Sequence, residues 1–297
     1  MGRALVLGGG GPVGIAWESG LIAGLAQGGA DLGKADLIMG TSAGSFVGAR
    51  LALGADAAKL ADPILAEAAA PPKAPDARPA PARPAPNLAP LMKMMAEAQG
   101  GARDPQTVRA EIGAFALAAD TLDEAGYIQT FGRSFAGLPQ DAWPERDFAC
   151  TAVDVETGAF QLWTGASGVG ITRAVASSCS VPGVYPPVTL KGRRYMDGGM
   201  RSGTNADLAV GHELVIVVQV RTAAMAGSAG EAHAQRFQDE IDALTGRGAQ
   251  VVVLSPDDAS QAAMGVNLMD FRKRADAARA GLAQGLADAA DLRAIWG

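Results

Sequence analysis

The sequence predicts an α/β layer fold with a mostly parallel central sheet, and three features carry that prediction. The first fifty residues read as strand, glycine loop, helix, strand, sharp turn and helix, which is a βαβα opening whose strands lie parallel. Leu214 to Val220 and Val251 to Leu254 are near-continuous runs of β-branched residues, as expected of strands covered on both faces. Aromatic residues make up only 5% of the chain while Gly and Ala are abundant, so its layers must approach through small side chains. With 297 residues and 48% hydrophobic content, the chain can bury a large core and is read as one domain, residues 1–297.

Arg3 to Leu7 is a short apolar run that ends in four glycines, the pattern of a buried strand stopping at a tight backbone turn. A helix is expected from Ile15 to about Gln27, a second strand over Asp36 to Met39, and a helix rich in small residues from Ala43 to Leu53. Eight of the 17 prolines then fall between Pro71 and Pro90, where no hydrogen-bonded element can close, so this stretch reads as a linker. Leu91, Met92, Met94 and Met95 predict a short apolar helix. Asp104-Pro105 is a helix start, with the aspartate as cap and proline in the first turn. Residues 71–138 are therefore expected to form a helical insertion, a candidate lid over the body.

The body resumes with a hairpin, Phe148 to Asp154 and Ala159 to Trp163 around Glu156-Thr157-Gly158. A helix from about Gly170 to Cys179 precedes Val181-Pro182-Gly183. A second hairpin, Val188 to Leu190 and Arg194 to Met196, delivers Asp197-Gly198-Gly199. The Ala-rich segment from Phe271 to Trp296 predicts a closing helix on the sheet.

A formal net charge of −6 and the absence of a clustered Lys/Arg surface argue against nucleic-acid binding, which must neutralise phosphates. The run Arg272-Lys273-Arg274 is short and reads as a solvated helix face. Cys150 and Cys179 show neither metal-ligand spacing nor a disulfide framework, which predicts a reducing compartment. Met1 to Leu7 runs straight into the glycine loop, so no signal peptide is expected, and no apolar run reaches bilayer-spanning length. The expectation is a cytoplasmic protein that can meet a membrane peripherally, with no cofactor and no metal.

Gly40-Thr41-Ser42-Ala43-Gly44, between a buried strand and a helix, fits the nucleophile-elbow pattern Gly-X-Ser-X-Gly in its required context. Turning directly from strand into helix strains the serine backbone and brings chain close by, so Gly40 and Gly44 cannot carry bulk. A small-residue turn that packs a helix on a sheet would look the same from the pentapeptide alone. Gly8 to Gly11, Pro12, Val13 and Gly14 leave backbone N–H groups free at a helix start. For acyl transfer such donors stabilise the tetrahedral oxyanion by about 3 kcal/mol each. Gly9-X-Gly11-X-X-Gly14 also fits the dinucleotide fingerprint, but the following strand ends in the Ser42 elbow and not in the acidic residue that would hold a ribose.

A serine nucleophile needs a base, and the chain has two histidines. His212 abuts a core strand and reads as structural, while His233 lies in a polar helix start and reads as solvated. Asp197, turned inward by the paired glycines after it, is the better candidate. An ordinary Asp-Gly turn is its alternative reading.

Together, Gly9-Gly10-Gly11-Pro12-Val13-Gly14, Gly40-Thr41-Ser42-Ala43-Gly44 and Asp197-Gly198-Gly199 resemble, in order, the three blocks of the patatin-like phospholipases. Ala176 to Gly183 resembles that family's small-residue segment ahead of the aspartate. The resemblance implies a three-layer α/β/α fold and a Ser-Asp dyad without histidine. Ser42 would be the nucleophile, Asp197 the base, and the amides of Gly9, Gly10 and Gly11 the oxyanion hole. It also implies a lipid or acyl-ester substrate. Val13 stands where the family usually carries Arg or Lys, which removes side-chain help in attracting a phosphate. A soluble short-chain carboxylesterase and a non-catalytic lipid-binding protein on the same fold remain alternatives.

Overall fold

The computed structural model describes residues 2–70, 88–99, 103–220 and 228–297. Its strands are β1 (Arg3–Leu7), β2 (Leu37–Gly40), β3 (Asp147–Asp154), β4 (Phe160–Trp163), β5 (Val188–Leu190), β6 (Arg193–Asp197), β7 (Leu214–Val218) and β8 (Gln250–Leu254). The helices are α1 (Gly11–Gln27), α2 (Ala43–Ala52), α3 (Asp62–Ala69), α4 (Ala89–Gln99), α5 (Pro105–Ala118), α6 (Glu124–Gly132), α7 (Ile171–Ser178), α8 (Ser228–Thr245), α9 (Asp258–Met264) and α10 (Arg274–Trp296). Among the described residues, no helix is long and apolar enough to cross a membrane.

All eight strands form one sheet, in the order β5-β6-β3-β2-β1-β7-β8 with β4 also on β3. The β1–β2, β1–β7, β2–β3 and β7–β8 pairings are parallel, while β3–β4, β3–β6 and β5–β6 are antiparallel. The period-2 alternation of strands splits the core in two. Leu5, Leu7, Ile216 and Val218 join the larger cluster beneath α1, α2 and α7. Ala4, Val6, Val215 and Val217 join the smaller one, which includes Leu244 of α8. Helices therefore cover both faces of a mostly parallel sheet, as the sequence predicts.

The register around β3 places the two halves of the site. Cys150 pairs with both Gly40 and Trp163, so β2 and β4 lie on opposite edges of β3. Ala152 pairs with both Gln161 and Asp197, so β6 also lies opposite β4. Hence β2 and β6 share one edge of β3 and approach end to end, Gly40 beside Cys150 and Asp197 beside Ala152. That arrangement alone brings the elbow after β2 up to the aspartate ending β6.

Two local features depart from expectation. α1 opens at Gly11, one turn earlier than the apolar pattern suggests, with Pro12 in the first turn, where its missing N–H costs nothing. α10 lies along α1 and not on the sheet. Gly20 and Gly24 of α1 face Gly281 and Gly285 of α10, and a Cβ on any of them would overlap the opposing backbone. A contact so close between helix backbones needs small residues more than an apolar stripe. Helices α8 and α9, poor in large apolar side chains, complete the layers. In the insertion, Asp104 caps α5 as expected, its carboxylate accepting from Thr107 N at 2.8 Å. The proline-rich linker expected from residue 71 lies, through residue 87, outside the described residues.

Candidate active site

The elbow is strained in the way its sequence requires. Ser42 has φ 51° and ψ −116°, a positive φ that a non-glycine residue adopts only when its surroundings impose it. The surroundings do so on both sides. A Cβ on Gly40 would overlap the backbone of Gly44 and Ser45, and one on Gly44 would overlap the Leu7 carbonyl of β1. The Gly44 N–H donates to Gly8 O and Thr41 O, both at 2.9 Å. These bonds fix the start of α2 against the glycine loop.

A strap of three small residues holds both halves of the site. Ser42 N–H donates to Ser178 Oγ at 3.0 Å, the Cys179 thiol donates to Ser42 O at 3.1 Å, and Asp197 N–H donates to Ser180 O at 2.9 Å. Ser45 Oγ adds a bond to Ser42 O at 2.7 Å. In the sequence, the segment around Ser178 to Ser180 stands out only through its family resemblance. Its contacts are those of a clamp.

Asp197 is 2% exposed and Ser42 7%. Burial pushes the Asp197 carboxyl up to about 7, opposed by its side-chain hydrogen bond with Ser42 and by the Gly199 N–H, which donates to Asp197 Oδ1 at 2.7 Å. A carboxyl in that range exchanges protons readily near neutrality, which suits a general base. Gly198 cannot be larger, since a Cβ there would overlap Thr151.

The glycine loop lies against Ser42: a Cβ on Gly9 would sit 3.4 Å from Ser42 Cβ. Its amides divide unequally. Gly9 N–H donates to Gly203 O at 2.8 Å and is therefore engaged, while Val13 N–H donates to Leu268 O at 3.1 Å. Gly10 caps α1 and Gly11 is its first residue, where backbone N–H groups have no intrahelical acceptor. Of the three glycines, Gly10 and Gly11 lie at the start of α1, at the positive end of its dipole.

The two histidines lie in different places. His212 Nδ1 bonds Ala209 O at 3.1 Å, and its ring packs on Gly2, at the end of the parallel strands opposite to Ser42. His233 sits on α8 with its ring 3.1 Å from where a Gly203 Cβ would lie, a packed position and not the solvated one expected.

A model of the patatin-like phospholipases, "Patatin-like phospholipase", matches residues 5–210, more than half of the chain. The protein belongs to the patatin-like phospholipase family. The match spans the glycine loop, the elbow, the insertion and the Asp197 turn. Two solved structures are similar in shape. VipD from Legionella pneumophila aligns at 13% identity and TM-score 0.48, over 99% of this chain and 67% of that one. The type III effector protein ExoU aligns at 18% identity and TM-score 0.41, over 98% of this chain and 53% of that one. This patatin-like chain thus spans about half the length of ExoU. A search of curated proteins finds no match.

Two apolar regions flank the site. Leu91, Val108, Ile112, Val153, Val155 and Met196 form a buried cluster, with Phe115, Val181 and Met200 packed on it; Met196 and Met200 bracket the Asp197 turn. On the other side Phe46 of α2 meets Phe131 and Phe135 edge-on, with ring centroids 6.1 and 5.6 Å apart. The insertion helices supply much of both. A polar cavity of about 550 Å³ lies elsewhere, between α8 and the loop carrying Arg201 and Asp207; neither Ser42 nor Asp197 lines it. No group of residues suited to hold a metal ion occurs among the described residues.

Proposed function

We propose that this protein is a serine lipid acyl hydrolase that cleaves an acyl ester through a Ser42–Asp197 dyad and a covalent acyl-enzyme. The carrying observation is the juxtaposition of the strained Ser42 with the buried Asp197, whose carboxyl is raised toward neutral pH by burial and lowered by its interaction with Ser42. Asp197, as carboxylate, takes the Ser42 Oγ proton as Oγ attacks the acyl carbonyl carbon. The resulting oxyanion is held by the Gly10 and Gly11 amides. Collapse of the tetrahedral intermediate breaks the ester C–O bond, and the leaving alkoxide takes the proton from Asp197. In the second half, Asp197 accepts a proton from water, whose oxygen attacks the acyl carbon. The new intermediate expels Ser42 Oγ, which recovers the proton, and the carboxylic acid departs.

Family membership supports a lipid substrate. The apolar cluster around Met196, with the insertion helices as a roof, suits an acyl chain. Val13 at the loop offers no charge for a phosphate, so the acyl group and not the headgroup is the expected determinant of recognition. The site as read needs no cofactor. The test is turnover of a medium-chain p-nitrophenyl ester and of phosphatidylcholine in mixed micelles by wild type, Ser42→Ala and Asp197→Asn. Wild-type turnover of both substrates, reduced at least ~10³-fold in each variant, is the expected result. A short soluble ester hydrolysed while every long-chain lipid is refused would favour the carboxylesterase reading. An inert wild type would favour lipid binding without catalysis.

A further inference from the structure

Asn205 is fully buried and holds a left-handed backbone at φ 53° and ψ 34°. It precedes a 3-10 turn, Ala206–Leu208, at the position where an asparagine side chain commonly caps, yet it makes no side-chain cap bond there. Its amide is turned instead between Thr41 and Gly198, the chain neighbours of Ser42 and Asp197. Asn205 Nδ2 lies 3.0 Å from Thr41 Oγ1, 2.8 Å from Ser202 O and 3.4 Å from Gly198 O. Thr41 immediately precedes Ser42, and Gly198 immediately follows Asp197.

The amide orientation is fixed by its other end. Arg201 Nη1 donates to Asn205 Oδ1 at 2.7 Å, and the same guanidinium forks onto Asp207 at 2.9 and 2.6 Å. With a cation at Oδ1, the NH2 group must face the three acceptors. Thr41 Oγ1 closes the circuit, bonding Thr151 Oγ1 at 2.9 Å and Thr204 O at 3.3 Å, and Thr151 is the residue on which Gly198 rests. The loop that carries Asn205 is itself anchored to α8: Glu240 Oε2 accepts from Thr204 Oγ1 at 2.6 Å and from Ala206 N at 2.9 Å.

We propose that Asn205 is a positioning residue for the reaction, its amide acting as a strut that sets the Ser42 elbow against the Asp197 turn. The strap at Ser178 to Ser180 grips the same two residues through their own backbones. Asn205 grips their neighbours from the loop that crosses to α8, so each side restrains a different direction of slip. A dyad whose proton transfer runs across a single hydrogen bond is sensitive to such slip, and a misplacement of about 1 Å costs on the order of 10²-fold in rate.

The inference rests on the dyad reading, and the experiment separates the two. Asn205→Gly keeps the left-handed backbone and removes the strut; Thr41→Val removes its acceptor and leaves Asn205 intact. Both are compared with wild type for kcat and KM on a p-nitrophenyl ester and for the pH profile of kcat/KM. The titration of the Asp197 carboxyl is followed separately by NMR. The expected result is a kcat lower by ~10- to 100-fold, a KM within about twofold, and a displaced Asp197 titration in both variants. Folded variants with wild-type kcat and an unmoved Asp197 titration would overturn the strut. If wild type hydrolyses nothing, a displaced titration still upholds the coupling, and the hydrolase reading is what falls.

Discussion

Asp197 carries the residue-scale consequences most directly. Burial raises its carboxyl from 3.8 to about 7, and the Ser42 and Gly199 bonds restrain the rise. Because the base must be ionised to accept the Ser42 proton, kcat/KM is expected to climb with pH through about 7 and level off above it. A pH–rate profile checks this, and a plateau already complete near pH 5 would refute it. Glu18 is a second buried carboxyl, 0% exposed, with no hydrogen-bond partner for either oxygen among the described residues. Burial raises it well above 4.5, opposed by the Gly8 backbone. A folded-state value above the unfolded one contributes stability that is complete below about 4.5 and is lost as pH rises toward the folded value. Glu18→Gln removes that titration, so its melting temperature should gain on wild type between pH 5 and pH 8, and a constant difference would contradict the assignment. Ser42, Gly40 and Gly44 stand out in the sequence because strand-to-turn geometry constrains their types, whereas Asp197 stands out only through the three blocks taken together and their family resemblance. Glu18 does not, since a carboxylate within an apolar helix pattern reads as a solvated position. The engagement of Gly9 by Gly203 was hidden as well, because it depends on a loop nearly two hundred residues away.

At the scale of elements, the parallel strands and the two hairpins could be read from β-branched runs and turn residues. The seat of α10 could not. Its periodicity suggested a face on the sheet, whereas Gly20, Gly24, Gly281 and Gly285 bring two helix backbones into contact. Gly281→Ala would press a methyl into the Trp17 carbonyl region of α1 and is expected to cost about 1–3 kcal/mol by overpacking. Urea unfolding measures the loss, and activity per folded molecule should be unchanged, because this contact is remote from Ser42. Gly44→Ala is the contrasting case. Its methyl would meet the Leu7 carbonyl where α2 leaves the elbow, so activity should fall at least ~10²-fold through displacement of Ser42, even in protein that remains folded. The edge of β3 shared by β2 and β6 was equally beyond sequence reading, since local patterns do not reveal which strand edges are left free.

Over the whole molecule, the sheet supplies a rigid edge at which two separately encoded turns meet, while the insertion supplies apolar cover. The division explains why the two turns and the existence of a helical insertion could be read in sequence order while the residues through which the insertion packs could not: turns follow local chemistry, whereas those helices acquire a face only when packed. If the insertion receives an acyl chain, turnover should rise with ester chain length, and Phe115→Ala, which trims a partly buried side chain on that cluster, should lower turnover of long-chain esters more than of short ones, by ~10-fold. The central claim is that Ser42 is the nucleophile and Asp197 its base. It is tested most directly by treating wild type, Ser42→Ala and Asp197→Asn with a fluorophosphonate and mapping the modified peptide by mass spectrometry. The account predicts one adduct on Ser42 in wild type, none in Ser42→Ala, and labelling slowed at least ~10²-fold in Asp197→Asn. An adduct on another serine, or full-rate labelling of Ser42 without Asp197, would contradict it.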